Sequence, residues 1–131
     1  MPQVSRIKLD SETEKKLIEV LETVVSKIDN KEQMQTFLSS LLTPTEKLML
    51  AKRLAVVVLI KEGLNDSQIA NSLHLTRITV SKMRYYLEAR GKGYDIALKI
   101  LRNEKLMGEF KSLLEGLIKY TIRASGGYVK P

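Results

Sequence analysis

Cysteine and tryptophan are missing from the 131 residues, histidine occurs once, and aromatic residues make up only 5%. Each shortage removes a class of chemistry. Without cysteine there is no disulfide framework and no thiolate zinc site. The single histidine, His74, has no cysteine or second histidine to join it in a metal site or a catalytic pair. No run reaches the ~18–20 apolar residues of a membrane span, and the opening MPQVSRIKLD lacks the apolar stretch of a secretory signal. There is no recognisable nucleophile–base pair, metal-ligand set or phosphate-cradling glycine loop. The expectation is a soluble, cytoplasmic protein that is not an enzyme, with no catalytic residues, no metal and no membrane partner.

What is present is a chain of 44% hydrophobic content whose core must be built from Leu, Ile and Val. Its length suits one domain and is short for two, so residues 1–131 are expected to form a single all-α domain. The net charge of +7 is unevenly spread. Residues 1–50 carry seven Lys/Arg against eight Asp/Glu, residues 51–93 carry eight against three, and residues 94–131 seven against four. The positive excess is greatest in the middle, as a polyanion-binding surface requires.

Helical periodicity accounts for nearly all of the chain, and five to seven helices are expected. Ser11 with Glu14 has the spacing of a capping box, and Leu17, Ile18, Leu21, Val24, Val25 and Ile28 follow as an amphipathic stripe. A short helix is expected over about 31–41. Thr43-Pro44-Thr45-Glu46 then combines an N-cap, a proline at the first helical position and a capping-box glutamate. The helix it opens, roughly 44–62, reads LMLAKRLAVVVLI and is expected to be buried nearly all round. One chain of this size has little material to cover it, so residues 11–62 are expected to serve as core and dimerisation helices of a homodimer. Gly63 supplies a left-handed stop. Beyond Gly91-Lys92-Gly93, residues 94–123 read as a C-terminal helical extension with a break near Asn103 and a frayed tail from Gly126.

Residues 65–90 hold the most informative pattern. Ile69 and Leu73 form one apolar stripe and Val80, Met83 and Leu87 a second. Only His74-Leu75-Thr76 separates them, the turn length of a helix-turn-helix. Asn65 caps the first helix with Gln68 three residues on, His74 takes a left-handed turn position, and Thr76 caps the second helix. That second helix turns a basic and polar face outward, suited to phosphates and base edges.

The candidate DNA-binding residues are Gln68, Thr76, Arg77, Ile78, Thr79, Ser81, Lys82, Arg84 and Tyr85. Arg77 reaches a guanine edge or a phosphate, with Ser81 and Lys82 facing the same way a turn later. Arg84 is better placed for the DNA backbone, with Arg90 and Lys92 either there or simply solvated. Gln68 either holds a phosphate or merely completes the Asn65 capping box. Of the adjacent Tyr85 and Tyr86, one is expected to pack and the other to lie at the DNA edge. Arg53, a charge on a mostly apolar helix, is expected in an ion pair at the dimer seam.

The order of these signals resembles the Trp repressor family. LLTPTEK at 41–47, Arg53, Gly63 and the helix-turn-helix at 66–87 carry the resemblance, which spans about residues 37–90. It implies an all-α, intertwined homodimer whose reading heads enter successive major grooves, and a repressor whose DNA affinity rises with bound L-tryptophan. Thr43 and Arg53 match two residues of that effector pocket and are carried over as its remnants. The family's second pocket arginine and the following glycine are here Lys82 and Met83. Lysine lacks the planar fork that stacks on an aromatic ring, and methionine fills the space an indole needs. The loop after Gly63 is also one residue shorter. No cofactor is expected, L-tryptophan included. The segment GKGYDIALKIL at 91–101 is similar to the ending of the uncharacterised Trp-repressor-like proteins, which share the fold and lack the pocket.

The resulting expectation is a sequence-specific transcriptional regulator, a repressor on the resemblance's account, that binds double-stranded DNA as a homodimer. The other readings of the same residues are a protein-interaction or assembly module and a sequence-tolerant chromosome-binding protein.

Overall fold

The first five helices each begin at a side-chain oxygen that takes up a backbone N–H, one of the donors a helix start leaves unpaired. Asp10 accepts from Thr13 N at 2.7 Å and opens α1 (Ser11–Lys27). Asn30 accepts from Gln33 N at 2.7 Å and opens α2 (Lys31–Leu41). Thr43 accepts from Glu46 N at 3.1 Å and opens α3 (Pro44–Lys61). Asn65 accepts from Gln68 N at 2.9 Å before α4 (Asp66–Leu73), and Thr76 from Thr79 N at 3.1 Å before α5 (Arg77–Arg90). Two further helices follow, α6 (Lys92–Arg102) and α7 (Leu106–Ala124). The structure, a computed structural model, describes residues 8–102 and 105–124, and among these there is no strand. The break expected at Asn103 and the tail from Gly126 lie outside the described residues.

Two starts differ from expectation. Asp10, not Ser11, caps α1, and Ser11 is the first helical residue. Two capping types stand side by side there, and the carboxylate is the stronger acceptor and also favours the positive end of the helix dipole. The Thr13 N–H holds the Asp10 carboxyl below the usual carboxylate range. Helix α6 starts at Lys92, not Tyr94, because Gly91 alone makes the junction with α5. A side chain at Gly91 would run into the Leu87 carbonyl oxygen, so the two helices meet with a single residue between them.

The chain divides into two compact units, Met1–Lys47 and Leu48–Pro131. In the first, α1 has no buried residue. Its apolar stripe is exposed along its length, with Leu17 at 56%, Ile18 at 57% and Leu21 at 44%.

In the second unit the core is continuous. Ala55, Val56, Val57, Val58 and Leu59 are all buried, a run of five that takes in the whole circumference of α3. Ile69, Ala70 and Leu73 of α4, Val80 of α5, Leu98 and Leu101 of α6 and Leu114 of α7 complete it. Burial of α3 is therefore confined to this stretch, whereas Leu48 and Leu50 nearer its start are exposed. Gly63, at φ 89°, ends the helix as expected. Gly63 N donates to Ile60 O and Leu64 N to Leu59 O, the paired bonds of a Schellman ending, and Leu64 packs against the core.

Among the described residues His74 is the one non-glycine at positive φ, with φ 54° and ψ 50°. A Cβ in that region crowds the following carbonyl. His74→Gly should therefore raise the unfolding free energy by about 0.5–1 kcal/mol, part of the gain being offset by glycine's greater chain entropy. An increased urea midpoint at unchanged slope is the expected readout.

Candidate nucleic-acid interface

The turn between α4 and α5 is built from its three residues outward. His74 supplies the left-handed step, Leu75 N donates back to Ala70 O at 2.9 Å, and Thr76 caps α5. Leu75 packs against the core, which anchors the turn from below. Thr76 Oγ1 also donates to Thr79 Oγ1 at 2.8 Å, joining the two candidate threonines to each other.

Asp66, in the first turn of α4, ties that helix to α5. Its Oδ2 accepts from Ser81 Oγ at 2.7 Å, and its Oδ1 from Arg84 Nε at 2.9 Å. A second guanidinium nitrogen lies 2.9 Å from Oδ1 and also donates to Leu64 O at 3.1 Å. Arg84 thus joins the chain just after α3, the start of α4 and the middle of α5. The Ser81 hydroxyl and then Arg84 hold the Asp66 carboxyl below the usual carboxylate range, with a lesser contribution from the Arg77 charge. Sequence reasoning passed over Asp66 because its partners lie 15 and 18 residues away. One signal was available: it is the only carboxylate between Glu62 and Glu88, in a segment rich in cations.

The remaining candidates fall into place around this clasp. Arg77, Ile78 and Lys82 are exposed on α5, and Val80, Met83 and Leu87 face the core. Gln68 uses its side-chain oxygen to accept from Asn65 N at 3.0 Å, completing the capping box. Both tyrosines are exposed, Tyr85 at 67% and Tyr86 at 48%, so the expectation that one would pack is corrected. Neither points along the Val80–Met83–Leu87 direction. Their rings meet edge-to-face at 5.9 Å, and the Arg90 guanidinium sits 4.7 Å from the Tyr86 centroid.

Of the two residues carried over from an effector pocket, Thr43 forms the reciprocal start of α3. Its hydroxyl accepts from Glu46 N and its own N–H donates to Glu46 Oε1 at 2.9 Å. That backbone N–H holds the Glu46 carboxyl below its ordinary range. Arg53 is half-buried further along the same helix. Met83, where the pocket's glycine would be, is half-buried against the core. No cluster of three His, Asp or Glu that could hold a metal ion occurs among the described residues, and no described helix is long and apolar enough to cross a membrane.

The family model of the Trp repressor protein matches residues 15–102, two thirds of the chain. The chain belongs to that family. Trp repressor family members are regulatory DNA-binding proteins and not enzymes, which places α4–turn–α5 as the DNA-binding element of a transcription regulator. The match begins near the start of α1, well before residue 37, and ends with α6, so α7 lies beyond it. The amphipathic α1 carries periodicity but no distinctive motif, which is why the resemblance did not reach it. No curated protein and no solved structure matches the chain.

Since the Asp66 carboxyl titrates below its ordinary value of 3.8 when folded, its contribution to stability is complete above about pH 4. That contribution disappears as the pH falls through the lowered folded value. Asp66→Asn should therefore lower stability by about 1 kcal/mol at pH 7, the group being partly exposed. The gap between the two proteins should narrow below pH 4 in urea or thermal unfolding. A gap independent of pH would contradict the role given to the carboxylate.

Proposed function

We propose that this protein is a homodimeric, sequence-specific transcriptional repressor that reads the major groove with α5. The observation that carries the reading is the outer face of α5. Arg77, Ile78, Lys82 and Tyr85 are exposed there on a helix clamped to α4 through Asp66, in a family of DNA-binding regulators. Ser81, Arg84, Thr76, Thr79 and Gln68 support this face, mainly by fixing it, and backbone phosphates complete the docking. The protein belongs with the branch that has no tryptophan effector, a reading supported by Lys82 and the half-buried Met83.

Dimerisation is supported by apolar surface that the single chain leaves in water, on α1 and at Leu48 and Leu50 of α3. Two-fold symmetry gives half-sites centred about 34 Å apart, one helical turn, and phosphate contacts give a steep fall of affinity with salt. The deciding experiment is enrichment of random duplex DNA on the purified protein near physiological salt, with and without L-tryptophan. A two-fold-symmetric site indifferent to tryptophan supports the reading. Retention without any enriched site, or a tryptophan-dependent site, overturns its specificity or its effector-free character respectively.

Two variants test the parts separately. Arg77→Ala combined with Lys82→Ala should leave the circular dichroism spectrum unchanged and weaken specific binding about 5- to 150-fold, the loss of one good base contact. Leu21→Glu on α1 should shift the protein from dimer to monomer in sedimentation, with its helicity retained in α4–α6. A wild-type protein that sediments as a monomer at micromolar concentration would remove the dimer from the proposal.

A further inference from the structure

Among the large hydrophobic residues described as exposed, Ile78 at 69% and Tyr85 at 67% are the most exposed. Both lie on the side of α5 opposite Val80, which is fully buried, at the expected 100° per residue. An isoleucine in the outermost line of a helix's first turn is unusual among its neighbours here. Arg77 precedes it, Thr79 follows, and Ser81 and Lys82 lie one turn on. Tyr85 is two turns away, about 10 Å along the axis, and does not share one patch with it. A lone branched side chain ringed by cations and hydroxyls is too small for a protein-docking surface. It is the right size for one methyl group.

The clasp narrows what else can read bases. The Ser81 hydroxyl and the Arg84 guanidinium are held by Asp66, and Thr79 Oγ1 accepts from Thr76. Arg77, Ile78 and Lys82 remain in the first two turns, the part of a recognition helix that meets base edges. The major groove presents one apolar group, the C5 methyl of thymine.

We infer that Ile78 is a specificity-determining residue that packs against a thymine methyl, so that each half-site carries a thymine at one fixed position. The inference rests on the DNA-reading function proposed above and adds the base that this residue selects. It predicts discrimination against cytosine and against uracil at that position without any hydrogen bond from Ile78.

The test uses the full-length protein and the duplex enriched from random DNA. Each thymidine is replaced singly by 2′-deoxyuridine, which removes only the methyl group, and binding is followed by fluorescence anisotropy at fixed salt. The wild-type protein should lose about four-fold in affinity at one position per half-site, the effect of one buried methyl. Ile78→Ala should bind the thymidine and deoxyuridine duplexes equally at that position, and Ile78→Val should fall between. Sedimentation and circular dichroism of both variants should match the wild type, since the side chain is not part of the core. An equal loss in wild type and Ile78→Ala, or no methyl-sensitive position, overturns the role of Ile78 while leaving the regulator reading intact. Failure to enrich any site overturns both.

Discussion

Because only three residues separate α4 from α5, the angle at which the second helix leaves the first depends on few atoms. The turn itself supplies a left-handed step and a cap, which set direction but not rigidity. Rigidity comes from the Asp66 carboxylate, which receives Ser81 and Arg84 from the next helix, while Arg84 reaches on to the Leu64 carbonyl. Loss of that carboxylate leaves a half-buried guanidinium without its counter-charge, so the bond matters more than an isolated surface pair. The exposed face of α5 is useful as a recognition surface only because its position is fixed in this way.

Beneath the clasp, the core of Leu48–Pro131 supplies the floor. The buried run Ala55–Leu59 gives every side of α3 to the core over one and a half turns. Branched valines there interlock with Ile69 and Val80, and the Schellman ending at Gly63 turns the chain directly into α4. In Met1–Lys47 the balance differs, since α1 has an apolar stripe but no buried residue. Two kinds of surface therefore coexist in one small protein: a charged face held rigid and an apolar face left uncovered in the single chain.

Most of this architecture was legible in the sequence, for a physical reason. Caps, the proline at position 44, the Gly63 stop and the left-handed His74 act over four or five residues, so a local reading captures them. The helix-turn-helix followed from two apolar stripes and the short gap between them. What the sequence concealed was of two kinds. Asp10 and Ser11 are both good caps, and choosing between them requires the backbone geometry. The Asp66 clasp joins residues 15 and 18 apart, and no periodicity encodes which cation a carboxylate takes. The site residues themselves were named from the sequence, but their division into bonded and outward-facing groups came only from the structure.

Gly91 shows how the second end of the reading helix is treated. With one residue between α5 and α6, and the space beside it filled by the Leu87 carbonyl, there is no linker to absorb rotation. The helix is supported at its start by Thr76, along its length by Asp66 and at its end by this junction. A binding surface mounted this way is preorganised. The conformational entropy of ordering it is lost on folding, and association with a partner need not supply it again.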